Sequence, residues 1–172
     1  MNSGPANWGT RSRGNVSGLA LAALTAALMM GAIGTAVAGP FDGLAGRWGG
    51  TGVVTYSDGT KERLQCNVKY DQAEPDSVTQ ALTCTSDSYN FRINAYYKSG
   101  AGGLVGHWSE TVNQVSGSLS GTVSDGHIVG NLRGPGFQAR VSVDTKGNQQ
   151  TVTVVTADQK ISQVAIAVKR GG

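Results

Sequence analysis

The chain has 172 residues and a formal net charge of +3, with an isoelectric point near 9.0. Two of its basic residues, Arg11 and Arg13, fall in the first 38, so residues 39–172 hold 12 Lys or Arg against 11 Asp or Glu. That near-neutral balance, with no Lys/Arg run longer than Lys169-Arg170, excludes charge as an argument for nucleic-acid binding.

Residues 1–38 read as an export signal. Arg11 and Arg13 supply a positive region, and "VSGLALAALTAALMMGAIGTAVA" at 16–38 is apolar or small and uncharged. It ends in Ala36-Val37-Ala38, an A-x-A site for cleavage before Gly39. An uncleaved membrane anchor is the rival reading, because the run is nearly long enough to span a bilayer. Its small residues lower its hydrophobicity, and no basic stop-transfer cluster follows Pro40. No cysteine sits at the cleavage site to carry a lipid. The long lead before the apolar core leaves open a start of translation downstream of Met1. The expectation is a periplasmic or secreted protein of Gram-negative type, with residues 39–172 as one domain large enough to bury a core and no integral span after cleavage.

"GPFDGLA" at 39–45 is expected to cap one end of that domain as a turn or short helix, with Phe41 and Leu44 tucked inward. Beyond residue 46 the helical period is absent and turn signals recur about every ten residues. Ten strands are predicted, near 47–56, 60–70, 77–85, 89–97, 103–112, 115–123, 127–133, 137–143, 149–156 and 161–170. Asp-Gly at 58–59 and 125–126 supplies the positive φ of tight hairpins, and Pro75, Pro135-Gly136 and "TKGN" at 145–148 mark other turns. Connectors this short force antiparallel neighbours.

Alternation assigns faces. Tyr89, Phe91, Ile93, Ala95 and Tyr97 share one side of the fourth strand, Leu64, Cys66, Val68 and Tyr70 one side of the second, and Val78, Leu82 and Cys84 one side of the third. A hairpin centred near Pro75 sets Cys66 against Cys84 and Val68 against Leu82, so the two cysteines are expected to form a disulfide. Val112 is expected to face inward at the end of the fifth strand. Glycines recur at inward positions (Gly50, Gly52, Gly106, Gly117, Gly121, Gly130), marking either close approach in a curved sheet or unfilled space. The fold expected is all-β, an antiparallel meander closing into an up-and-down barrel, because closure removes exposed edges. An open curved sheet or a β-sandwich is the alternative.

Gly46-Arg47-Trp48 opens the first strand, and Arg170 closes the last on the inward parity. This resembles the calycin superfamily, the lipocalins and fatty-acid-binding proteins, in which a G-x-W on the first strand packs its Trp beneath an Arg from the final strand. The resemblance implies that Gly46, Trp48 and Arg170 close the base of a barrel rather than hold its cargo, which agrees with a cation–π role for Arg170. The chain departs from both branches: Asp58-Gly59 joins the first two strands without a helical lid, and no helix follows the barrel. "FDGLAGRW" also resembles small exported proteins of alphaproteobacteria with no assigned activity, which implies location and no chemistry.

Parts for catalysis are few. His107 and His127 both point outward, on strands separated by a third, with His107 expected level with Asn131. That leaves them about 13 Å apart or more, too far to chelate one metal. No G-x-S-x-G or Ser-x-x-Lys appears, C-x17-C is not a metal spacing, and "KSGAGG" and "GPG" lack the strand-to-helix context of a phosphate loop. Glu110, on the inward parity near Trp108, is expected to reach water at a barrel mouth. No enzyme activity, catalytic residue, metal or cofactor is therefore assigned. Two binding readings stay open. In one, the barrel takes a small apolar or amphipathic ligand lined by Tyr56, Phe91, Ile93, Trp108, Leu119 and Phe137. In the other, a packed barrel binds an envelope protein through its exterior, as a protease-inhibitor-like module would. Oligomeric state is not legible.

Overall fold

A computed structural model describes residues 39–157 and 160–171; the expected signal at 1–38 lies outside the described residues. Ten strands follow one another: β1 (Gly46–Tyr56), β2 (Lys61–Glu74), β3 (Ser77–Thr85), β4 (Asn90–Gly100), β5 (Gly103–Glu110), β6 (Val115–Ser124), β7 (His127–Gly134), β8 (Phe137–Lys146), β9 (Gln149–Thr156) and β10 (Ile161–Arg170). Each is antiparallel to its sequence neighbours, and β10 returns to β1, so the sheet is a closed barrel in meander order. Trp48 pairs with Arg170 and Val54 with Val164 across the closing seam. Closure leaves no edge strand among the described residues.

Local chemistry makes the hairpins. At Tyr56–Lys61 the chain reverses through Gly59, whose φ of +86° suits glycine, and Asp58 accepts the backbone N–H of Thr60 at 2.9 Å. Asp125 and Gly126 both have positive φ, as the mirror-image turn joining twisted strands requires. Cys66 pairs directly with Cys84, and a disulfide joins them with the Cα atoms 4.2 Å apart.

Two expectations need correction. β5 ends at Glu110, and Val112 lies in the following turn, 48% exposed rather than inward. That turn takes four residues, with Glu110 opposite Val115 and Gln114 at a φ of +57°. The longer loop shifts the β5–β6 register, so His107 lies level with Ser118 and Arg133, not Asn131. Of the two readings of the inward glycines, close approach is the one found: a Cβ on Gly117 would collide with the Arg133 carbonyl oxygen, and one on Gly50 with that of Ala167.

The core is concentrated toward the end where β1 begins. Residues 39–45 fold across that end as a turn, with Phe41 fully buried and Leu44 beneath the strands as expected. Trp48, Tyr70, Val78, Leu104 and Val168 are buried around them.

Candidate functional site at the open end of the barrel

The two ends of the barrel are built differently. At the closed end the Trp48 indole N–H donates to the Leu44 carbonyl at 2.8 Å, and the Arg170 guanidinium lies 4.7 Å above the Trp48 ring. Arg170 also donates to the carbonyl of Gly43, tying the last strand to the plug. Gly46 enters β1 with a φ of +120°, a conformation that favours glycine. Gln150 is buried in the same region: it accepts the Tyr70 hydroxyl at 2.8 Å and donates to Thr145 at 3.0 Å. Burial pushes the Tyr70 phenol well above its ordinary pKa, and does the same to Tyr97.

Toward the opposite end Val54, Leu64 and Cys84 are buried, but six apolar side chains beyond them are only half-buried: Tyr56, Tyr89, Phe91, Leu132, Val154 and Ile161 pack on the core while keeping part of their surface exposed. On one wall the Tyr56 and Tyr89 rings are 6.3 Å apart. On another, Trp108 meets Phe137 edge-on at 5.8 Å. The Trp108 ring lies against strands that carry no side chain there, since a Cβ on Gly117 would come within 2.8 Å of it and one on Gly134 within 3.1 Å. Its indole N–H donates to the Ser118 carbonyl at 3.2 Å. Two glycines thus make room for one large aromatic at the mouth.

Two carboxylates stand at this rim. Glu62, on β2, accepts the Tyr56 hydroxyl at 2.7 Å, the Ser88 backbone N–H at 3.1 Å and the Ser86 hydroxyl. The Ser86 and Tyr56 hydrogen bonds hold its pKa below the ordinary value, and its acceptance of the phenol pushes Tyr56 up to about 12. Burial alone would raise Glu110. The backbone N–H groups of Asn113, Val112 and Arg92 outweigh it and hold that carboxylate low. Glu110 is therefore the cap of the β5–β6 turn, its oxygens committed to backbone amides.

Of the six side chains expected to line a ligand site, Tyr56, Phe91, Ile93 and Phe137 are half-buried, and Trp108 and Leu119 are buried in the wall beneath. The structure adds Glu62, Ser86 and Tyr89 to that neighbourhood. Glu62 shares the inward parity of Leu64 and Cys66, a signal present in the sequence; the loop residue Ser86 carried none. Outside the barrel, His107 stacks on Tyr96 at 5.4 Å and His127 Nδ1 contacts Asp144 at 2.6 Å. No group of three or more His, Cys, Asp or Glu among the described residues is arranged to hold a metal.

A depression of about 480 Å³ lies on the outer wall of β7–β9, lined by Asn131, Arg133, Gln138, Arg140 and Val155 among others. A second, of about 430 Å³, lies between the plug and the β6–β7 turn. Most residues lining the first stand on outward parities, so it is a surface groove rather than the mouth.

No family model matches the chain, and no curated protein matches it in sequence. Solved structures match in fold. Rv2717c from M. tuberculosis superposes with a TM-score of 0.59 at 11% identity, covering 77% of this chain and 95% of its own. The S-type phycobiliprotein lyase CPES from Guillardia theta superposes with a TM-score of 0.51 at 14% identity, covering 77% of this chain and 90% of its own. Likeness at these identities shows the fold alone, a closed β-barrel.

Proposed function

We propose that this protein is a non-enzymatic, exported barrel that binds a small apolar or amphipathic molecule at its open end. The observation that carries the reading is an asymmetry of the two ends: Phe41, Leu44 and Trp48 are buried at the plugged end, whereas an aromatic-rich apolar set, Tyr56, Tyr89, Phe91 and Phe137, stays half-buried at the other. Apolar surface of that kind, backed by polar groups at its rim, is what concave ligand sites are made of. Export is supported by the signal-like N-terminus and by the disulfide, which suits an oxidising compartment. The phycobiliprotein lyase is a precedent for a working protein on this fold and lends nothing about residues.

The outer groove favours a second reading, an interaction surface for an envelope protein. Arg133 and Arg140 there have no carboxylate partner among the described residues, and Val155 is 51% exposed.

Native mass spectrometry of the exported protein recovered from periplasm, followed by denaturing extraction, separates the two. A reproducible molecule bound one to one, and lost in Phe91→Arg, supports the open-end reading. An empty protein that also takes up no apolar dye overturns it.

A further inference from the structure

The open end has a charge pattern that narrows the ligand class. Among the described residues, the charged side chains on its inward-facing positions are Glu62 and Glu110, the latter committed to the β5–β6 turn, whereas Lys61, Arg63, Arg92 and Arg133 are all exposed on the alternate, outward parity of their strands. Neither carboxylate has a Lys or Arg within 4.0 Å among the described residues. The rim loops add Asp58 and Asp87 against Lys160. The anionic headgroup of a fatty acid would meet no inward-facing cation among the described residues here and would lie beside negative charge.

Aromatic faces are the other half of the pattern. Tyr56, Tyr89, Phe91, Trp108 and Phe137 stand at this end, with the Tyr56 hydroxyl bonded to Glu62 and the Tyr89 ring beside it. Rings attract a cation through their negative faces, most strongly where water is partly excluded, and a nearby carboxylate adds to the attraction. A quaternary or primary ammonium on an alkyl chain would satisfy both features, its chain against the half-buried apolar wall and its head between ring and carboxylate.

Resting on the open-end reading, we propose that the site selects cationic amphiphiles, alkylammonium compounds in particular, over anionic ones of equal chain length. The hydrogen bonds from Tyr56 and Ser86 keep Glu62 in place and ionised as the counter-charge.

The test is calorimetric titration of the exported protein at neutral pH and fixed ionic strength with three ligands below their aggregation concentrations: decyltrimethylammonium, decanol and decanoate. The cation is expected to bind about tenfold or more tighter than the anion, with the alcohol between. Glu62→Gln, checked for a retained disulfide and native near-ultraviolet circular dichroism, should narrow the cation-to-anion ratio to about threefold. Should that variant not fold, raising the salt concentration on the wild-type protein should narrow the same ratio through screening. Decanoate binding as tightly as decyltrimethylammonium overturns the charge selectivity while leaving a ligand site at the open end. Binding by none of the three overturns the open-end reading and the selectivity with it.

Discussion

At the end where the chain enters the barrel, Trp48 is 2% exposed, and every polar atom near it has a partner: its indole on Leu44, Tyr70 on Gln150, Gln150 on Thr145. On β5, at Trp108, the indole is again hydrogen-bonded, but its ring is seated on glycines beside the half-buried Phe137. The difference comes from residues 39–45, which lay Phe41 and Leu44 across one end; no such segment covers the other among the described residues. A meander of even strands has no intrinsic top or bottom. The plug covers one end and, among the described residues, leaves the other uncovered.

Mutations should break that comparison unequally. Trp48→Ala should cost about 4 kcal/mol, since it removes a large buried ring together with the Arg170 contact. Phe137→Ala at the open end should cost about 1.5 kcal/mol, because part of that ring already faces water. Urea unfolding monitored by circular dichroism checks both, and equal shifts in midpoint would erase the distinction between the ends. Reducing the disulfide, which closes a loop with a sequence separation of 18, should lower stability by about 3 kcal/mol. Gln150→Ala comes next. It strands the Tyr70 hydroxyl in the closed end, and a cost of about 2 kcal/mol is expected.

Two titrations sharpen the contrast further. Tyr70 and Tyr97 have phenols raised by burial above the unfolded value of 10.0, so the unfolded chain loses their protons first and stability falls as pH rises above 10. Their tyrosinate absorbance should therefore appear only with unfolding. Glu62 runs the other way and is a smaller effect. Its folded pKa lies below the unfolded 4.5, so its contribution is present above that value and fades as pH falls through the depressed one. Glu62→Gln should flatten that acid limb of the stability curve, read from melting temperature against pH.

Much of the architecture was legible residue by residue. Period-two alternation placed Leu64, Cys66, Val68 and Tyr70 on one face, and the hairpin at Pro75 then matched Cys66 with Cys84, because local pairing follows from turn position. The β5–β6 register was not, because the four-residue turn at 111–114 has no Gly or Pro to centre it and is held by the Glu110 carboxylate reaching three backbone N–H groups. Gln150 was also missed, since its partner Tyr70 is 80 residues away in sequence. Barrel closure, resting on β1–β10 hydrogen bonds, was expected from the edge argument rather than read from any residue. At the open end the aromatics were visible as inward parity. Whether an inward side chain is sealed or half-exposed depends on what crosses each end, and only the folded chain displays that.

The open end as the binding site is the central claim, and amide NMR with the two tryptophan indole N–H signals as reporters tests it most directly. Titrating decanol into the purified protein should shift the Trp108 indole and the amides of Phe91 and Phe137, and leave the Trp48 indole and Gln150 in place. Shifts confined to Arg133, Arg140 and Val155 on the outer wall, or none at all, would contradict it.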